Sequence, residues 1–515
     1  MAAPKKKIVL IRPLVFSKTR PYYGAPLALL AISKILATEG YKIKIVDPLT
    51  HKDYISAVVR ESKDAICLGI SALTGYSIYD GLQIARAVKK KYPELPIVWG
   101  GWHPSILPLE TIKDENVDVV VCGQGERTFT ELVHALEKKH TPKNINGIIY
   151  KDKKGKVVQN PPRLLESLDN FPPVPYHLLD VKKFLVPQEY GKRSLVYYTS
   201  FGCPHRCIFC VELIVNNRRW VGLSPERAVE EILDMKQKYG IDSIQIIDSN
   251  FFISEDRSRR FAQKLIDLGV NIKWGNVNGR TRQMSQYKDS TWALMKKSGL
   301  ECILIGAESG SNETLEYMKK DITVSDTLKL TKFCAKYDVK ILSSFLVGFP
   351  RSADPEKCYK ITEKELTTSL NLIDKMFKIY PRIRMMFALF LPYPSTALFD
   401  ESRKMGLEIP EHLEDWHEFL IAAEDASKMK VRQKWITKEQ ARRILMISIY
   451  IFFFKDPDSF NLVTAKINNP VKKAFLYFGF QVFKKFVDTR WKYRYFGLPV
   501  DFWFYNILRK YSGLG

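Results

Sequence analysis

Along the first 150 positions, short apolar runs flanked by polar residues alternate with longer stretches whose apolar residues recur every third or fourth place. The runs are KIVLIRP, KIKIVD, DAICLGIS, PIVWGG and VDVVVCG. The stretches between them include APLALLAISKILATEG, SIYDGLQIARAVKKKY and RTFTELVHALEKK. Strand-length runs that are apolar throughout fit strands buried on both faces, and the 3.6-residue recurrence fits amphipathic helices. Their alternation predicts a doubly wound parallel α/β sheet over residues 1–150.

The proline-rich passage NPPRLLESLDNFPPVPYHLLD, Asn160 to Asp180, breaks both patterns and predicts a linker over 151–190. A second series then begins with LVYYTS, SIQIID, IKWGNV, CILIGA, KILSSFLVGFP and IRMMFALF, most of them separated by helical stretches such as SPERAVEEILDMKQKYG. Six β/α units over 191–406 predict a barrel-like parallel sheet short of the full eight. From 407 to 515 the pattern turns to helices crowded with aromatic and basic residues.

A chain of 515 residues, 46% hydrophobic, calls for two or three domains with full cores and excludes wholesale disorder. The start MAAPKKKIVLIRP lacks a signal-peptide core, and the longest apolar run, Ile444 to Phe454, is too short to span a bilayer. A cytoplasmic protein is expected. The net charge of +24 fits nucleic acid, anionic lipid or an acidic substrate, or simply a lysine-rich proteome.

Eight cysteines are too few for a disulfide scaffold, and five of them (Cys67, Cys122, Cys302, Cys334, Cys358) are scattered. The other three share one loop, SFGCPHRCIFC, as Cys203, Cys207 and Cys210, directly after the first strand of the second series. Three thiolates can hold three irons of a cubane and leave the fourth open to a chelating small molecule. That iron can pass an electron to a sulfonium and break a carbon–sulfur bond. Zinc, completed by His205, is the alternative, but a second C-x2-C pair is missing. Three merely structural cysteines remain the other alternative.

The C-x3-C-x2-C loop, with Phe209 before its last cysteine, resembles the signature of the radical S-adenosylmethionine (SAM) superfamily. IIDSNFFIS, NGRTR, IGAESGSNETLEYMKK, FLVGFP and LPYPSTALFD resemble its successive strand-end motifs, with Ser395 where glycine is usual. The resemblance implies a [4Fe–4S] cluster on Cys203, Cys207 and Cys210, with SAM chelating the open iron. It implies Asp248 near the SAM amino group and Glu308 and Ser309 near its ribose or carboxylate. Gly348 is expected by the adenine, and Arg280 or Arg282 opposite the carboxylate. Glu308 as a helix cap and Arg280 as a surface charge are the bland alternatives.

In the first domain, GISALTGYS, WGGWHPS and CGQGERTFTEL place glycines and small hydroxyls at three strand ends, where backbone amides can approach a bulky ligand. Ser71, Thr74, Gly75, Gly100, Gly101, His103, Gly123, Gly125 and Glu126 are the candidates. The domain resembles the Rossmann-like cobalamin-binding domain that precedes the radical SAM barrel in a large subfamily. The D-x-H-x-x-G motif that supplies a histidine to cobalt is absent, and His103 is as readily a loop hydrogen-bonder as a ligand.

The tail from Val471 interleaves aromatics with lysine and arginine, as an interfacial membrane segment does and as a helical cap over the barrel also does. Nucleic-acid stacking is the weaker alternative, since no RNA-binding module accompanies it. The architecture also resembles anaerobic magnesium-protoporphyrin ester cyclase and hopanoid and tetraether lipid modifiers. It implies cleavage of SAM to a 5′-deoxyadenosyl radical and cobalamin-dependent methyl transfer to a lipophilic small molecule. The electron donor implied is a flavodoxin or ferredoxin, with peripheral contact at the inner membrane surface. Radical ring closure or rearrangement and a non-catalytic sensor are the alternatives. A methylthiotransferase is disfavoured, because its first domain would need a second cysteine trio.

Overall fold

The computed structural model describes residues 6–15, 23–419, 432–455 and 469–496. Residues 1–5, part of the early loop, 16–22, and the stretches 420–431, 456–468 and 497–515 of the carboxy-terminal region, the last of them within the aromatic tail, lie outside the described residues.

β1 (Lys7–Ile11) shows why the first sheet forms where it does. Ile8 and Leu10 pack in one core with Leu30 of the helix Leu27–Thr38 and Phe129 of the helix Gly125–Glu137. Val9 and Ile11 pack in another with Ile78 and Leu82 of the helix Tyr76–Lys91. A strand apolar at four successive positions, Ile8 to Ile11, is one with helices over both faces. Beside it stand β2 (Lys42–Val46), β3 (Ala65–Ser71), β4 (Ile97–Gly100), β5 (Val119–Val121), β6 (Ile148–Lys151) and β7 (Val157–Gln159). Their order is β2-β1-β3-β4-β5-β6-β7, the first five parallel and the last two antiparallel at one edge. The order reverses between β1 and β3, where carboxyl-terminal strand ends open a crevice.

The second series starts with β8 (Val186–Gln188), which pairs antiparallel with β9 (Gly191–Tyr197). β10 (Ser200–Gly202) and β11 (Trp220–Gly222) pair antiparallel across the three-cysteine loop. β12 (Ser243–Ile246), β13 (Lys273–Gly275), β14 (Val277–Gly279), β15 (Cys302–Glu308), β16 (Lys340–Val347) and β17 (Ile383–Leu389) complete it. Parallel pairing runs β9–β12–β13 and then β14–β15–β16–β17. β13 and β14 are one strand broken at Asn276, which sits at φ 55°. The six β/α units of the sequence reading therefore form a continuous arc with one kink.

The carboxy-terminal region binds both halves together. Arg86 meets Glu414 through two bonds of 2.9 and 2.8 Å, and Trp416 packs against His103. Trp435 donates to the carbonyl of Gly348 at 3.0 Å. The helix Pro470–Lys492 buries Phe480, Val487 and Trp491 and leaves Phe475, Phe478, Val482 and Phe486 exposed. Among the described residues no helix is long and apolar enough to cross a membrane.

Candidate active site: two adjoining cavities

The three-cysteine loop leaves β10 at the mouth of the barrel and is pinned at its middle. Ile208 donates its amide to Met318 at 3.1 Å, and its carbonyl accepts from Leu398 at 3.3 Å. The thiols of Cys203, Cys207 and Cys210 are thereby turned into a cavity of about 270 Å³. Burial raises the Cys203 thiol and pushes Cys210 up to about 12, as an apolar loop does to a thiol until a metal replaces the proton. Among the described residues no three His, Cys, Asp or Glu side chains are grouped to hold a metal ion together.

The same cavity is lined by two cations as well as the thiols. Arg280, nearly buried, lines it and stands 3.5 Å from Asp321. Lys320 lines it as well, paired with Glu308 at 2.9 Å and lying 5.5 Å from the centre of the Phe209 ring. Burial works against the Lys320 charge, but Glu308 and the Cys207 sulfur outweigh it and raise its pKa. Glu308 ends β15 at φ 59°, with a register shift between Gly306 and Glu308. This conformation is costly for a residue bearing a Cβ, and here it brings the carboxylate beside Lys320 and the Ser344 hydroxyl.

Other sequence candidates stand elsewhere. Asp248 does not line the cavity; its carboxylate accepts from the Thr199 amide and from the Thr199 and Ser200 hydroxyls, each at 2.6 Å. Its neighbours Ser249 and Asn250 line the cavity instead. The Ser309 hydroxyl accepts from the Ser311 amide at 3.1 Å, turned into the next helix start. Gly348 lies beneath Ile436 and Leu389, and its amide donates to Glu365 at 3.3 Å. Arg282 is exposed, outside the lining.

A second cavity, of about 290 Å³, lies between the first sheet and the barrel. Ser71, Gly100, Gly101, Gly123 and Gly125 form its rim at the carboxyl ends of β3, β4 and β5. A Cβ on Gly101, at φ 99°, would meet the Ala72 carbonyl at 2.7 Å, so only glycine gives this close turn. Tyr198, Phe201 and Ile247 close the barrel side. A glycine rim with apolar walls fits a broad, flat ring that carries amide side arms.

Thr74, Gly75 and His103 stand behind this rim. His103 is fully buried, shares Nδ1 with the Thr74 hydroxyl at 3.1 Å, and has its pKa lowered to about 3 by burial. It does not line the cavity, and so is not placed as a cobalt ligand. Gly75 opens the helix Tyr76–Lys91. Glu126 is buried and its pKa raised by burial, against which the Lys34 charge acts. Sequence reasoning did not single out Lys320 and Ser249, though both lie in the quoted strand-end motifs, nor Tyr198 at the end of the first barrel strand, and it missed Glu212, which lies outside every quoted stretch.

Residues 13–133 match the B12 binding domain family, and residues 197–357 match the radical SAM superfamily. An uncharacterized methyltransferase of Pyrococcus horikoshii is 29% identical over 88% of this chain and 93% of its own. The anaerobic magnesium-protoporphyrin IX monomethyl ester cyclase of Synechocystis is 24% identical over 67% of this chain and 70% of its own. The solved structure of the cobalamin-dependent SAM radical enzyme OxsB with aqua-cobalamin superposes with a TM-score of 0.68. It is 18% identical and covers 95% of this chain and 72% of that one. The first sheet thus carries a B12 binding domain and the barrel a radical SAM domain, the two joined in one enzyme chain.

Proposed function

We propose that this enzyme reductively cleaves SAM and, with cobalamin, transfers a methyl group to an unactivated carbon of a lipophilic small molecule. The observation that carries the reading is the adjacency of the two cavities, one lined by three thiols and the other by a glycine rim, with residues in common. When bound, the cluster supplies the electron that splits the sulfonium and cobalamin supplies the methyl group.

The residues present fit these groups. Cys203, Cys207 and Cys210 would hold the cluster, and Phe209 would cover its flank. Arg280 and Lys320 would offset its negative charge and receive the SAM carboxylate, with Glu308 fixing the Lys320 ammonium. Gly100, Gly101, Gly123 and Gly125 would admit the corrin side arms to backbone amides. The apolar residues around both cavities exclude water, which a carbon radical needs.

A flavodoxin or ferredoxin would supply the electron. The aromatic face of Pro470–Lys492 favours a substrate drawn from a membrane surface.

The test is anaerobic reconstitution with iron, sulfide, hydroxocobalamin, reductant and SAM bearing a deuterated methyl group. Formation of 5′-deoxyadenosine and of deuterated methylcobalamin is expected. Methylcobalamin without 5′-deoxyadenosine would reduce the enzyme to a polar methyl carrier, and neither product would leave a sensor.

A further inference from the structure

The two cavities share a short stretch of wall. Of the residues that line them, Glu212 and Ser249 alone belong to both. The Ser249 hydroxyl donates to one oxygen of the Glu212 carboxylate, and the Asn216 amide donates to the other. Glu212 follows Cys210 by two residues and opens the short helix Glu212–Val215, so the loop that carries the third thiol runs straight into this wall. Glu212 is 7% exposed, whereas Ser249 is open to the cavities on either side. Both hydrogen-bond partners of the carboxylate are neutral. Held at both oxygens, the side chain is fixed in the wall common to the two cavities, where its bulk separates them.

Resting on the reading above, we propose that Glu212, held by Ser249 and Asn216, is the partition between the cobalamin cavity and the SAM cavity. It limits how far a group standing on the open face of cobalamin extends toward the thiol loop, and it sets the gap in which the substrate carbon is held. A methyl-sized axial group fits on the cobalamin side of Glu212. A nucleoside-sized one crosses into the space reserved for SAM.

The experiment uses the full chain with its cluster reconstituted anaerobically and measures binding of two corrinoids by visible absorption in equilibrium dialysis. One is hydroxocobalamin and the other adenosylcobalamin, whose axial ligand is a 5′-deoxyadenosyl group. The unaltered protein should bind hydroxocobalamin at least roughly tenfold more tightly. Glu212→Gln, equal in shape, should keep that ratio. Glu212→Ala should bring the two within about threefold, and in that variant alone SAM should displace adenosylcobalamin. Glu212→Ser, which retains a polar group at the helix start, should behave as alanine and stands in if alanine does not fold. Equal binding of both corrinoids by the unaltered protein, or an unchanged ratio in the alanine or serine variant, would overturn the partition. Failure of the unaltered protein to bind either corrinoid would overturn the proposed function and the partition with it.

Discussion

Lys320 and Glu308 face each other at 2.9 Å inside the barrel mouth, and neither charge is sustainable there alone. Lys320→Met should lower stability by about 3 kcal/mol, because it leaves a buried carboxylate unpaired. The Lys320→Met/Glu308→Gln double variant should recover most of that loss while still binding SAM at least tenfold more weakly, as thermal denaturation and equilibrium dialysis would show. Ser395 is a second instance of a residue whose meaning is local. It sits at φ 64°, which explains the glycine usual in this turn, and its hydroxyl donates to the Ile106 carbonyl at 2.6 Å. Ser395→Ala keeps the strain and loses the bond, so it should be less stable than Ser395→Gly by about 1 kcal/mol. The thiol loop was legible because chemistry fixes its spacing. Lys320 was not, because a KK pair after a helix looks like any solvated surface, and only the fold carries it back beside Cys207. Asp248 was legible as a strand-end acid, but its direction was not. The carboxylate turned inward to Thr199 and Ser200, so Asp248→Asn should cost stability and spare SAM affinity.

Elements were legible where hydrophobic period and length agreed, as in β1, apolar from Ile8 to Ile11, and the helix Tyr76–Lys91. Less legible was the kink at Asn276, which divides one strand between two sheets, because a single residue at positive φ leaves no trace in a hydrophobic pattern. The antiparallel additions β6 and β7 were also missed, both being short and β7 mostly exposed. At the end of β4, Gly101→Ala should lower cobalamin affinity and destabilise the domain by about 2 kcal/mol, since the added Cβ meets backbone rather than a movable side chain. In the long helix Pro355–Ile379, Glu365 is buried, bonded to Thr314 and to the Gly348 amide, and burial raises it to about 7. The folded chain then holds this proton more firmly than the unfolded one does. The contribution is full below the ordinary glutamate range near 4.5 and is lost as pH rises through about 7. Between pH 5 and pH 8 the unaltered protein should lose roughly 2–4 °C of melting temperature relative to Glu365→Gln.

At the scale of the whole molecule, the carboxy-terminal region makes one body of sheet and barrel through Arg86–Glu414, Trp416 on His103 and Trp435 on Gly348. It also presents Phe475, Phe478, Val482 and Phe486 outward on a strongly basic chain. If that face meets anionic lipid, the full chain should float with phosphatidylglycerol vesicles and the Phe475→Ser/Phe478→Ser variant should remain at the bottom of the gradient. Equal recovery of the two would remove the membrane from the account. The central claim is that one chain holds an iron–sulfur cluster on three thiols and, separately, a corrinoid against its first sheet. It is tested most directly by metal analysis of the anaerobically reconstituted protein alongside Cys207→Ala. About four irons and one cobalt per chain are expected, with the variant losing its iron and keeping its cobalt. Iron fully retained in Cys207→Ala, or no cobalt in either protein, would contradict it.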